Sequence, residues 1–455
     1  MTPALIPHKL SNLFTFGIVA AILIVMSLLS ACHRGSGGSG EPNHWTWISG
    51  SNLIDQMGVY GTQGTPSVEN TPGARNGGVS WTDANGHLWL FGGSAFMGAG
   101  YSDLWKFDGT QWAWVSGSKI EGYGPNYGKQ GVADAGNTPG GRSGAAKWVD
   151  RNGNIWLFGG ADLSNPGYYF NDLWKFDGTL WTWVSGSQYT NRVSVYGTQG
   201  IADASNTPGA RAFAVSWTDN SGNLWLFGGD CHDSASSTAW GAKNDAWKFD
   251  GTLWTWMSGS QHTDQVDVYG TQGTPAATNM PGGRHSATSW KDTSGNVWIF
   301  GGIRSGLPFE VGERNDLWKF DGTLWTWIGG YKVPRQKGVY GSLGVEDPGN
   351  VPGTRWSATG WIDKAGNLWL FGGDGYDSQG ISGQLNDIWK FNGTNWIWMG
   401  GSNAINQRGI YGTANDDVPG ARANATGWAD NNGDLWLFGG IGYDGKLNDL
   451  WRYHP

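Results

Sequence analysis

The residues best suited to grip a charged ligand recur at near-constant spacing. A Pro-Gly-x-Arg phrase ends at Arg75, Arg142, Arg211, Arg284, Arg355 and Arg422, at intervals of 67, 69, 73, 71 and 67 residues. A guanidinium offers a planar fork of donors that fits a carboxylate or a phosphate at two points. Each arginine also has a matching acid. Asp103, Asp172, Asp245, Asp316, Asp387 and Asp449 each stand two residues before a tryptophan. The six arginines therefore either face a ligand at a channel mouth or pair with these aspartates. Pairing is the expected arrangement, because an unpaired charge is costly to bury.

Departures from the repeat carry more information. His285 directly follows Arg284, Trp356 directly follows Arg355, and Trp240 lies in a long irregular stretch. Aromatic side chains on an open face stack on a sugar ring or anchor a protein partner. They also fill gaps beside small neighbours. The phrase "DCHD", Asp230 to Asp233, gathers oxygen, sulfur and nitrogen donors, but no second cluster stands at a ligand-like spacing. "DNNGD" from Asp430 lacks the ligand count and closing Glu of a calcium loop. No nucleophile triad or phosphate loop is present. No metal, cofactor or catalytic residue is expected.

These residues sit on repeated elements. "FGG" ends at Gly93, Gly160, Gly229, Gly302, Gly373 and Gly440, so six units of about seventy residues follow one another. Each unit holds four short apolar phrases, strands a to d; the third reads "FAVSWTD", "NLWLFGG", "DAWKFDG" and "LWTWMSG". Strand b is apolar throughout, as a strand covered on both faces must be. Strand c carries one lysine, which suits partial burial. Asp-Gly turns separate the strands, with Asp opening the turn and Gly supplying positive φ. Glycine interrupts every stretch that could sustain a helical period. Four-stranded antiparallel units cannot bury both faces alone; stacking six of them radially does.

The Gly-Gly pair after an apolar strand, the "NDLW" phrase and the later tryptophan resemble the kelch repeat, over nearly all of residues 44–455. The resemblance implies a six-bladed kelch-type β-propeller of four-stranded antiparallel blades. The ring is expected to close through the N-terminus. "HWTWISGS" supplies a strand d with no predecessors, and the C-terminus ends on a strand c with no d. Tryptophans agree: five template positions in six blades account for 30 of the 32, leaving Trp240 and Trp356. The a–b and c–d turns hardly vary, whereas the b–c and d–a loops are long and varied, which places the functional face at the latter. "VYGTQG", repeated in every d–a loop, is expected to pack the loop rather than touch a ligand. In kelch proteins that bind acidic peptides, arginines at this point can face the ligand. Kelch propellers also include the copper enzyme galactose oxidase, which needs a cysteine cross-linked to a tyrosine and several histidine ligands. Here Cys231 is the only cysteine left after lipidation of Cys32; it sits in a variable loop, and no histidine pair accompanies it, which argues against oxidase activity.

Net charge of -8 and the absence of a basic groove argue against nucleic acid as a partner. Lys9 precedes the apolar "LFTFGIVAAILIVMSLLS", and Leu29 to Cys32 resemble the lipobox of bacterial lipoproteins. That resemblance implies a signal peptide over 1–31, acylation of Cys32 and lipid anchoring without a spanning helix. Residues 32–43 form a Gly/Ser tether reaching roughly 15–20 Å, and 44–455 form the propeller. The expectation is a monomeric lipoprotein of the bacterial envelope, on the outer membrane or the periplasmic face. Its loop face would bind a protein or a glycan, or alternatively act on sugars at the channel mouth as a mutarotase- or galactose-oxidase-like enzyme.

Overall fold

The computed structural model describes residues 43–95, 98–165, 167–232, 240–304, 312–412 and 416–455. The expected signal peptide, Cys32 and nearly all of the expected tether lie outside the described residues. The described chain is all-β: six antiparallel blades form a six-bladed β-propeller. Blade 3 shows the plan, with a Val215–Thr218, b Leu224–His232, c Trp240–Phe249 and d Trp254–Ser258. Blade 6 takes a Thr426–Ala429, b Leu435–Gly442 and c Lys446–His454 from the C-terminus. Its d strand is His44–Ser49, paired antiparallel with Trp45 opposite Tyr453 and Trp47 opposite Trp451. The expected closure is thus observed.

Packing explains the composition. Leu88, Trp89, Leu90 and Phe91 of blade 1 strand b are all buried, as a strand covered on both faces requires. Six apolar clusters lie between neighbouring blades. One joins Trp81, Trp89 and Phe91 of blade 1 to Trp174, Trp181 and Trp183 of blade 2. Another joins Trp45 to Trp361, Phe371 and Trp451, so the N-terminal strand fills the last interblade core. The strand-c lysine lies over the cross-strand tryptophan of b: Lys106 stands 5.3 Å from the Trp89 ring and Lys390 5.5 Å from Trp369. Its stem is covered while its charge stays at the surface.

The a–b turns are tied by their aspartates. Asp219 accepts from the backbone N–H of Ser221 and Asn223, and from Trp225 Nε1 at 2.8 Å. The long d–a loops fold back over the blade that follows. Gly200 N–H donates to Trp256 O, and Asn206 Nδ2 donates to Trp254 O. In four blades the b–c connection is more ordered than a loop, because b and c run on as a ladder past the glycine pair. Trp240, expected in a loop, accordingly opens strand c, opposite His232.

A ring of backbone amides surrounds the axis. Gly77, Gly144, Phe213, Ser286, Ser357 and Asn424 each donate N–H to the carbonyl of the preceding member, and Gly77 donates to Asn424, all at 2.7–2.9 Å. Every member has positive φ, between 52° and 66°. The ring divides the channel into a mouth on the b–c side and a chamber on the turn side.

Candidate functional site

The six arginines occupy one repeated constellation. Arg211 Nη1 donates to Asp245 Oδ1 at 2.7 Å and to Gly228 O at 2.9 Å; Nη2 donates to Asp245 Oδ2 at 2.9 Å. Tyr196 Oη and Trp247 Nε1 donate to the same Asp245 oxygen. Glycine at 228 is needed because any side chain would strike Arg284 O, 2.7 Å from the Cβ position. The arrangement recurs as Arg75–Asp103, Arg142–Asp172, Arg284–Asp316, Arg355–Asp387 and Arg422–Asp449. These side chains are at most 2 % exposed. Burial works to raise the Asp245 pKa, but Arg211's charge and hydrogen bonds prevail and hold it below the usual range. Buried and bound to their aspartates in this way, these side chains present almost no surface to a ligand. The repeated "VYG" tyrosines belong to the same clusters.

The other three candidates lie on the b–c side, on blades 3, 4 and 5. One residue past each arginine, the chain pairs across the end of its blade. His285 stands opposite Ile303, Trp356 opposite Asp374, and Ala212 opposite Asp230. From these ends side chains reach the next blade. Tyr169 of blade 2 donates its hydroxyl to Asp230 of blade 3 at 2.5 Å. The Trp240 ring meets Tyr169 edge-on, with centroids 5.0 Å apart. His285 of blade 4 and Trp356 of blade 5 stand 6.4 Å apart, also edge-on. Trp240 is 39 % exposed, while His285 and Trp356 are partly covered. Burial lowers the His285 pKa, against the pull of the Asp230 carboxylate. The imidazole is therefore neutral near pH 7 and carries one donor and one acceptor; Nδ1 is 3.0 Å from Ser286 Oγ. Burial also raises the Tyr169 hydroxyl, with Asp230 adding to the effect, so it remains a donor.

The mouth thus carries two tryptophans, a tyrosine, a carboxylate and a neutral imidazole across blades 2 to 5. Asp230 entered the sequence reading only within "DCHD". Cys231 is buried, and among the described residues no group of three or more His, Cys, Asp or Glu side chains could hold a metal ion. Tyr169 gave no signal, because b–c segments differ in length and hide its register. A further carboxyl stands opposite Trp356: burial raises the Asp374 pKa, and the Glu313 charge adds to that effect.

No family model and no curated protein matches the chain. Solved structures do resemble it. "Structure of YjhT" aligns at 15 % identity and TM-score 0.51, over 84 % of this chain and 96 % of that one. An uncharacterised protein from Dyadobacter fermentans aligns at 11 % identity and TM-score 0.47, over 88 % of this chain and 97 % of that one. A fungal alcohol oxidase of the AA5 family, solved with copper, aligns at 13 % identity and TM-score 0.46, over 87 % of this chain and 77 % of that one. At these identities the likeness is one of fold.

Proposed function

We propose that the chain is a kelch-type propeller lipoprotein of the bacterial envelope, anchored through Cys32, that binds a neutral glycan at the b–c mouth without turning it over. The observation that carries this reading is the row Trp240, Tyr169, Asp230, His285 and Trp356. Aromatic faces stack on the apolar face of a pyranose, while a carboxylate and a neutral imidazole take its hydroxyls. The six repeat arginines are neutralised by their aspartates and do not themselves demand an acidic ligand. The test is a glycan array with a peptide arm, followed by titration of Trp356→Ala and His285→Ala. Retention of an unchanged glycan, weakened in both variants, supports the reading; retention of peptides alone overturns it.

A sugar-converting enzyme at the same mouth is the second reading. It is favoured by Asp374, because a carboxyl whose pKa is raised by burial and by the Glu313 charge is shifted toward the role of a general acid. Product formation lost in Asp374→Asn would move the assignment there.

A further inference from the structure

The chamber on the turn side of the amide ring differs from the mouth. Strand a contributes one residue per blade to each layer. The layer paired with the central strand-b residue holds Ser80, Lys147, Ser216, Ser289, Gly360 and Gly427. The next layer toward the turns holds Thr82, Val149, Thr218, Lys291, Ile362 and Ala429. Each layer therefore has one lysine among small or uncharged residues. Both lysines border a cavity of about 360 Å³, shared with Thr82, Ser216, Thr218 and Ser289.

Charge accounting makes this unusual. Every arginine of the repeat has its aspartate, yet among the described residues no carboxylate pairs with Lys147 or Lys291. Lys147 Nζ donates to Ser80 O and contacts Ser80 Oγ at 3.3 Å, which leaves one of its three donors without a protein acceptor among the described residues. The neighbouring turn aspartates are engaged elsewhere: Asp150 by Asn154 and Trp156, Asp292 by Asn296 and Trp298. Burial alone pulls the Lys147 pKa down to about 8. A part-buried ammonium without a counter-charge is costly, and an anion offsets that cost.

We propose that this chamber is a binding site for a small oxyanion, a phosphate or carboxylate group held between Lys147 and Lys291. The Ser289 hydroxyl and the lysine ammoniums supply the donors. Entry is from the turn face, since the amide ring narrows the other end. The site is separate from the glycan mouth and does not depend on that reading.

The test uses the full chain in detergent. Thermal midpoints are measured against sodium phosphate and sodium oxalate, with sodium chloride at matched ionic strength as control. Lys147→Ser and Lys291→Thr restore residues found at the same positions in other blades, so both variants suit the fold. Saturating oxyanion, a hundredfold above its dissociation constant, should raise the wild-type midpoint by roughly 3 °C. Both variants should lose that response, and whichever anion acts identifies the ligand as phosphoryl or carboxylate. Broadening of the phosphate ³¹P signal by wild type but not by Lys291→Thr gives a readout free of stability. A wild-type midpoint that follows ionic strength alone, or variants that respond as wild type does, overturns the proposal.

Discussion

Trp47 stands directly opposite Trp451 in the sheet of blade 6, within the strand pair that joins the two ends of the propeller. The adjacent Trp45 is 5 % exposed and packs on Phe371 and Tyr453 at 5.2 and 5.0 Å. Trp45→Ala should cost about 3–5 kcal/mol, as expected for emptying a buried tryptophan site. Deleting residues 44–50 should broaden or split the unfolding transition, because the edge of strand c in blade 6 opens and the adjoining interblade core loses Trp45 and Trp47. Denaturant titration followed by tryptophan fluorescence checks both outcomes.

The arginine–aspartate staples set the response to acid. Burial tends to raise Asp245 and Asp316, but arginine charge and hydrogen bonds hold both below the usual carboxylate value. A depressed folded pKa stabilises the protein above the unfolded value, about 3.9, and this contribution is lost as pH falls through the folded value. Stability from these groups should therefore be flat from neutrality down to about pH 4 and fall below it. Asp245→Asn leaves Arg211 buried without its counter-charge and should cost about 3–5 kcal/mol at pH 7. Urea midpoints at pH 3, 5 and 7 test this.

Cys231 is buried and its thiol is pushed up to about 12, chiefly by burial. The thiolate is the reactive form, so native protein should resist a thiol reagent at pH 8 and react fully only when unfolded. Labelling of a Cys32→Ser variant, in which Cys231 is the sole thiol, checks this.

The same Cys32→Ser change tests the anchor. Wild-type protein should sediment with membranes and yield an acylated N-terminal peptide by mass spectrometry. The variant should yield no acylated peptide. A wild-type N-terminus that carries no acyl chain contradicts lipid anchoring.

The strands, their order and the closure were legible because each repeats six times, and local pattern and fold agree at every copy. Trp45 and Trp47 could be assigned to blade 6 simply because that blade lacked a strand d. The Arg–Asp pairs were legible for the same reason. The mouth was not. Trp240, His285 and Trp356 stood out as departures, but the residues that join them do not repeat: Asp230 sits in a hairpin of unusual length, and Tyr169 in another. The amide ring was also hidden. Two of its six members are glycine, but Phe213 takes φ 57°, a conformation its residue type does not suggest. That position is fixed by hydrogen bonds from both neighbouring blades, which is tertiary information.

Affinity at the mouth is the most direct test of function. A neutral glycan selected on an array should be titrated calorimetrically into wild type, Trp356→Ala and Trp240→Ala. Loss of a stacking tryptophan should weaken binding about tenfold or more in each variant, with thermal midpoints near that of wild type. Both variants binding the glycan as tightly as wild type would contradict a ligand seated between Trp240 and Trp356.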